Sequence, residues 1–113
     1  MRSTNLVIIR GHVGADAKGF DKGSVAKISV ATNRIWTDRQ TGEKKEATDW
    51  VTLTVLNEKT AKWAIGNVKK GDAVYAEGRI ADNRYQQGGE TKYSTDIIVN
   101  VLDRLAPRAS DDE

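Results

Sequence analysis

Two tryptophans at the ends of a polar segment constrain the fold of this chain more than any other feature. Trp36 and Trp50 flank the charge-rich residues 37–49, and β-rich runs adjoin them at 27–35 and 51–55. This pattern predicts a long β-hairpin with a mobile basic tip and one aromatic ring on each arm. Bulky rings beside basic side chains are what a stacking surface for unpaired bases requires.

The chain length and composition indicate one small globular domain. The 113 residues are 38% apolar and 30% charged, and the formal net charge is only +2. Such a weak net charge says little about partners. No apolar run is long enough to cross a membrane, and the N-terminus lacks a secretory signal. The absence of cysteine fits a reducing compartment, so a cytoplasmic location is expected.

The alternation of apolar and polar residues predicts five strands, with a glycine-rich loop after the first. They cover residues 4–13, 24–36, 49–56, 72–85 and 92–102, with the loop at 14–23 and a turn at 86–89. Ala26, Ile28 and Val30 are predicted to share one face of the second strand, and Val51, Leu53 and Val55 one face of the third. Val74, Ala76 and Ile80 are predicted to point inward, and Tyr93, Thr95, Ile97, Val99 and Val101 to alternate on the last strand. Residues 1–103 are expected to form the domain, and residues 104–113 a short, disordered acidic tail.

One helix is predicted between the third and fourth strands. Asn57 is the expected N-cap, apolar residues follow at helical spacing, and Gly71 is the expected terminator after two lysines. Five strands with one helix in this position is the order of the OB-fold, an all-β, partly open barrel that binds oligonucleotides on one face.

The chain resembles the bacterial single-stranded DNA-binding protein (SSB) family over residues 5–102. The motifs that carry the resemblance are NLVIIRGHVGAD, VAKISVATNRIW, TGEKKEATDWVTLTV, KKGDAVYAEGRI and YSTDIIVNV, in this order. The resemblance implies an OB-fold homotetramer, with a dimer as the alternative, that binds single-stranded DNA with little sequence preference. It also implies that Trp36 and Trp50 stack on bases.

Three positions and the C-terminal end depart from the family pattern. Leu56 stands where a phenylalanine is usual, Tyr85 where a tryptophan is common, and Val51 where a histidine often supports subunit contacts. The PRASDDE end is acidic but lacks the usual hydrophobic tip, which argues against recruitment of repair or replication proteins through it.

The nucleic-acid-binding candidates are aromatic residues that can stack on bases and basic residues that can neutralise phosphates. They are Trp36, Trp50, Tyr85, Arg34, Arg39, Lys44, Lys45, Arg79 and Arg84. Trp63 is expected to pack or to make a subunit contact, and Tyr75 and Tyr93 to pack on the sheet. Phe20 fits a loop anchor and a stacking ring equally well.

The sequence gives no support for catalysis. His12 is the only histidine, and no nucleophile elbow, phosphate-binding glycine loop or calcium loop is present. No enzyme activity, cofactor or metal is therefore predicted. The preferred function is sequence-independent binding and protection of single-stranded DNA in replication, recombination or repair. The alternatives are a primosome-type OB-fold protein that mainly binds replication partners, and an oligomeric scaffold that no longer binds DNA.

Overall fold

The computed structural model describes residues 1–106. It contains six strands, one 3₁₀ turn and one α-helix. Their bounds are β1 Val7–Val13, β2 Lys18–Phe20, the 3₁₀ turn Asp21–Gly23, β3 Val25–Thr37, β4 Lys44–Val55, α1 Glu58–Asn67, β5 Ala73–Gln87 and β6 Glu90–Ala106.

The five long strands close into a barrel. The strand order is β1-β5-β6-β4-β3-β2, and an additional pairing between β1 and β3 closes the ring. Strand β1 pairs with β5 along Val7–His12 and then with β3 at His12 and Val13. The predicted OB-fold, with its helix between the third and fourth long strands, is confirmed.

The core lies inside this ring and follows the strand alternation. Strands β3 and β4 contribute Ala26, Ile28, Val30, Leu53 and Val55, all at most 1% exposed, and Val51 packs against them. The shared faces predicted for these two strands are therefore confirmed, and both point into the barrel.

A β-bulge shifts the alternation on the other long hairpin. The register of β5 with β6 jumps between Glu77 and Gly78, and a Cβ at Gly78 would lie 2.1 Å from the carbonyl oxygen of Ile98. Only glycine allows the two backbones to approach so closely. Val74 and Ala76 are buried as predicted, but the inward assignment of Ile80 is wrong. The alternation predicted for the last strand is broken after Val99, which is buried, because Val101 is exposed. Ile80 lies where the hairpin leaves the barrel, and Val101 follows the bulge, which reverses the side on which its side chain projects.

Both long hairpins extend well beyond the barrel. Strands β3 and β4 pair without interruption from Ala26–Val55 out to Thr37–Lys44, so the tip comprises only residues 38–43. The third strand thus begins at Lys44, and the predicted start at residue 49 was too late. Strands β4 and β6 pair at Leu53–Ile97 and Thr54–Ile98, and beyond these pairs the two hairpins separate.

The helix begins as predicted but ends early. The Asn57 side chain accepts a hydrogen bond of 3.1 Å from the Thr60 backbone N–H, which satisfies one free donor of the first turn. The helix ends at Asn67, with Val68 already extended and buried in the core. Gly71 lies in the following turn and is not the helix terminator.

Two further predictions change at short segments. The predicted loop 14–23 contains β2, whose three residues pair with β3 and are too few to give a periodic signal. Residues 104–106, predicted to belong to a disordered tail, continue β6 and pair with the start of β5. Residues 107–113 of that predicted tail lie outside the described residues.

Candidate nucleic-acid interface

The pairing register assigns every side chain on the hairpins to one of two faces. Neighbouring residues on a strand point to opposite sides, and directly paired residues share a side. Buried Ile28 and its partner Leu53 define the inner face, which continues the core side of the barrel. The opposite side is the outer face.

Trp50 lies on the outer face, next to its partner Ala31 on β3. Its ring covers Gly14, because a Cβ built on Gly14 would lie 2.3 Å from the ring carbon Cζ3. The tryptophan side chain is nevertheless 63% exposed. Gly14 thus supports one part of the ring while the rest is available to a ligand.

Trp36 lies on the inner face of the same hairpin, out beyond the barrel, and is 43% exposed. The guanidinium carbon of Arg34, on the same face, lies 4.9 Å from the centre of the Trp36 ring. Arg34 also forms a 3.0 Å ion pair with Asp49. Asp49 is the direct partner of Thr32 across the hairpin, which places its carboxylate beside Arg34. Arg34 is therefore held both by the Trp36 ring and by this carboxylate.

The β5–β6 hairpin likewise carries aromatic residues on both faces. Tyr85 is 45% exposed and shares the outer face with Arg79. Arg84 lies on the inner face, with its guanidinium carbon 5.5 Å from the ring centre of its partner Tyr93. Tyr93 is 63% exposed, so its predicted packing role is wrong. At this distance from the barrel, no other element of the described residues covers the hairpin face on which the ring lies.

The basic candidates fall into two groups. Arg34, Lys45 and Arg84 are within 4.0 Å of Asp49, Glu43 and Asp82 respectively, all in exposed positions where such pairs contribute little. Arg39, Lys44 and Arg79 make no ion pair with a carboxylate of residues 1–106. The second group therefore presents positive charge that no carboxylate of these residues offsets.

The residues that depart from the family pattern differ in their surroundings. Leu56 follows β4 and is exposed, so it offers apolar surface without an aromatic ring. Val51 points inward and packs against the core. Its side chain is therefore part of the barrel interior.

Sequence reasoning left two exposed rings without an assigned place in the site. Phe20 lies on β2 with the ammonium of Lys27 5.7 Å from its ring centre, and Tyr93 is covered by Arg84 as described above. The signal that could have found Tyr93 is its position opposite Arg84 across the Gly88-Gly89 turn. The sequence left Phe20 open between a loop anchor and a stacking ring, because β2 is too short to show which way its side chains point.

Other kinds of site find no support among residues 1–106. No group of three or more histidine, aspartate or glutamate side chains in this range could hold a metal ion. In the same range, no helix has the length and apolarity that a membrane span requires.

Comparison with known proteins decides the family. The model of the single-strand binding protein family matches residues 4–105. The chain belongs to this family. It is 39% identical over 101 residues to a single-stranded DNA-binding protein of Rhizobium meliloti, covering 86% of this chain. The chain spans 58% of the length of that relative.

Two solved structures share the fold. The SSB of Plasmodium falciparum, solved in complex with single-stranded DNA, superimposes with a TM-score of 0.75 and is 31% identical, covering 91% of this chain and 94% of its own. A deletion mutant of the single-stranded DNA-binding protein of Thermus aquaticus gives a TM-score of 0.78 at 21% identity, covering 93% and 52%. The latter similarity concerns the fold alone.

Proposed function

We propose that this protein binds single-stranded DNA without sequence preference and protects it during replication, recombination or repair. The observation that carries the proposal is the exposure of Trp36, Trp50 and Tyr85 on two hairpins that also carry cations. Singly exposed apolar side chains are common, but rings that line two arms together with arginines are the combination that stacks on unpaired bases and neutralises their phosphates. Membership of the single-strand binding protein family supports this function over partner binding alone or an inert scaffold.

The mechanism divides affinity between rings and cations. Stacking of a base on an aromatic side chain contributes roughly 1–3 kcal/mol and tolerates any base, because every base has a π-face. Arg39, Lys44 and Arg79 neutralise phosphates directly. Arg34 and Arg84 lie against aromatic rings, so a base that stacks there meets a ring and a guanidinium together. No step requires covalent chemistry or a cofactor, and the proposal is of a non-catalytic, cytoplasmic protein.

The two faces of the hairpins restrict the path of the DNA. Trp36 is on the inner face and Trp50 on the outer face of one two-stranded ribbon. A single strand that contacts both rings must therefore pass around an edge of that ribbon. This path explains how a small domain can use cations on both sides of its arms.

We further propose that the protein is a homo-oligomer, with a tetramer expected and a dimer as the alternative. Ile8 and Val101 are exposed on the barrel wall, on either side of Glu77. An apolar sheet surface of this kind fits a second copy of the same chain.

Titration with oligo-dT at two salt concentrations tests the proposed function. Tryptophan fluorescence should be quenched, and affinity should fall as salt rises with a slope of about −0.7 per phosphate neutralised. A duplex of the same length is the control and should bind much more weakly. If low salt and micromolar protein give neither quenching nor a gel shift, the proposed function is wrong.

A further inference from the structure

The Phe20 ring is exposed at the end of a strand whose other side makes the contact with the helix. It is the last residue of β2, its side chain is 46% exposed, and its partner Val25 places it on the outer face. The neighbouring Gly19 points the other way, toward Ile65 of α1. The contact of β2 with the helix is thus made by the opposite side of the strand.

Two lysines stand beside this ring. Lys18 and Lys27 are direct partners on β2 and β3, so both lie on the outer face with Phe20. The Lys27 ammonium is 5.7 Å from the ring centre. Together with Ser29 and Thr52, these residues line an open groove on the sheet surface. Asp16 also lines the groove, and its carboxylate accepts a hydrogen bond of 2.9 Å from the Lys70 backbone N–H.

The groove continues toward Trp50. On the outer face the pairs Lys27–Thr54, Ser29–Thr52 and Ala31–Trp50 follow one another. Six residues of β3 separate the partners of Phe20 and Trp50, which corresponds to about 20 Å along the strand. Several nucleotides can lie between the two rings, over a surface of small and hydroxyl side chains.

A strained turn holds Phe20 in place. Asp21 and Lys22 follow it with φ of +53° and +58°, a conformation that non-glycine residues rarely adopt. The Ser24 side chain donates to the Asp21 carbonyl at 2.8 Å, which helps to maintain the turn. Backbone strain of this kind concentrates at ligand-binding segments.

We propose that Phe20, Lys18 and Lys27 form a further nucleotide subsite that extends the DNA track from Trp50 across the sheet to β2. The base stacks on Phe20 and the lysines contact the flanking phosphates. This inference rests on the proposed function. It adds β2 to the strands that carry the proposed DNA contacts.

The contact between Lys27 and Phe20 does not block this role. A cation–π contact at an exposed site is weaker than base–aromatic stacking. A base can therefore replace the ammonium over the ring, and Lys27 becomes available to a phosphate one nucleotide away.

A length series of oligo-dT tests the subsite. Full-length wild type, Phe20→Ala, Phe20→Tyr and Trp50→Ala are titrated with oligonucleotides of about 4 to about 16 nucleotides, the range of site sizes of OB-folds. Phe20→Ala should bind the shortest oligonucleotides like wild type. Once the DNA is long enough to reach β2, affinity should fall between about 5-fold and about 150-fold. Phe20→Tyr keeps the ring and should restore affinity.

A second arm tests the lysines. Lys27→Ala should reduce the slope of log affinity against log salt by about 0.7 with long oligonucleotides. Lys59→Ala removes the same charge from α1 and should leave the slope unchanged. Circular dichroism of each variant establishes that the barrel is folded.

The outcomes separate the two proposals. If wild type binds and Trp50→Ala weakens binding, but Phe20→Ala equals wild type at every length, the subsite is refuted and the proposed function stands. A loss that is equal at all lengths assigns Phe20 a structural role and also refutes the subsite. If wild type does not bind single-stranded DNA, both proposals fall.

Discussion

At the scale of single residues, Gly14 determines where the Trp50 ring can lie. The ring rests on the glycine so closely that any Cβ there would be 2.3 Å from Cζ3. This distance is far below van der Waals contact, so the ring and not the glycine backbone is the part that must move. A residue outside the proposed DNA contacts therefore controls one of them.

Gly14→Ala should weaken oligo-dT binding several-fold, because the displaced Trp50 ring stacks less well on a base. Fluorescence titration measures the affinity, and the emission maximum of the free protein reports the ring movement. Gly66→Ala is the matched control, since a Cβ at Gly66 meets nothing within 4 Å. Equal affinity of the Gly14 variant and wild type would contradict the proposed position of Trp50.

Trp36→Ala and Trp50→Ala should each lower oligo-dT affinity by about 5-fold to about 150-fold. The rings are on opposite faces of the ribbon and do not share a base, so their effects should be additive within about 0.5 kcal/mol. A double-mutant cycle measures this coupling. A coupling energy well above that value would mean that both rings hold the same base and that the path around the ribbon is wrong.

Tyr75 gives the chain an alkaline dependence of stability. Its hydroxyl donates a hydrogen bond to Glu77, and this bond, with a smaller contribution from the nearby charges, raises the pKa of Tyr75 above 10.0. A raised pKa means that the folded state favours the protonated phenol. The stabilisation is complete below pH 10 and is lost as pH rises through the folded-state pKa.

Tyr75→Phe should therefore remove part of the loss of stability above about pH 10, where the wild-type phenol ionises next to the Glu77 carboxylate. Urea denaturation between neutral and alkaline pH compares the two proteins. Tyr85→Phe serves as a control, since Tyr85 is an exposed tyrosine on the hairpin arm. Parallel pH profiles for Tyr75→Phe and wild type would contradict the role of this hydrogen bond.

At the scale of elements, the helix begins where a single side chain satisfies its first turn. Asn57→Ala removes the acceptor for the Thr60 N–H and should lower the free energy of unfolding by about 0.5–2 kcal/mol. Gly66→Ala, in open space within the same helix, should raise it by about 0.5–1 kcal/mol. Urea denaturation measures both. A neutral result for Asn57→Ala would show that tertiary packing alone determines where the helix starts.

The sequence predicts elements well where local periodicity and burial agree. The alternation on β3 and β4 and the Asn57 cap were all readable from the chain. The sequence does not show the bulge at Gly78, because a glycine indicates a bend but not the change of phase on β6 that exposes Val101. The early end of α1 follows from the burial of Val68, a tertiary contact that no capping rule contains.

The candidate site was predictable in its residues but not in its geometry. Trp36, Trp50 and the neighbouring cations are recognisable by type and spacing. Their division between two faces depends on the register of β3 with β4, which is fixed by pairing as far as Thr37–Lys44. The sequence predicted a longer unpaired tip. The pairs between residues 32 and 49 that assign each ring to a face were therefore not predicted.

At the scale of the whole molecule, the exposed apolar barrel wall should decide the oligomeric state. Ile8→Lys introduces a charge there, and the paired Glu77 keeps the lysine tolerable to the barrel itself. The mass measured by light scattering should fall toward that of the monomer. Ile35→Lys changes an equally exposed isoleucine on the hairpin arm and should keep the wild-type mass. An unchanged mass for Ile8→Lys would exclude this wall as the interface.

The separation of the two hairpins after only two pairs between β4 and β6 has a consequence for how the protein behaves at high concentration. Beyond that point each arm presents free backbone N–H and C=O groups, which are a template for strand addition and aggregation. The arms are protected by charge. The β4 edge carries Lys44, Lys45 and Glu46, and the β6 edge carries Glu90, Lys92 and Asp96. These charges thus keep neighbouring molecules from joining their sheets, and neutral substitutions of the lysines, made to test the proposed DNA contacts, would reduce solubility as well.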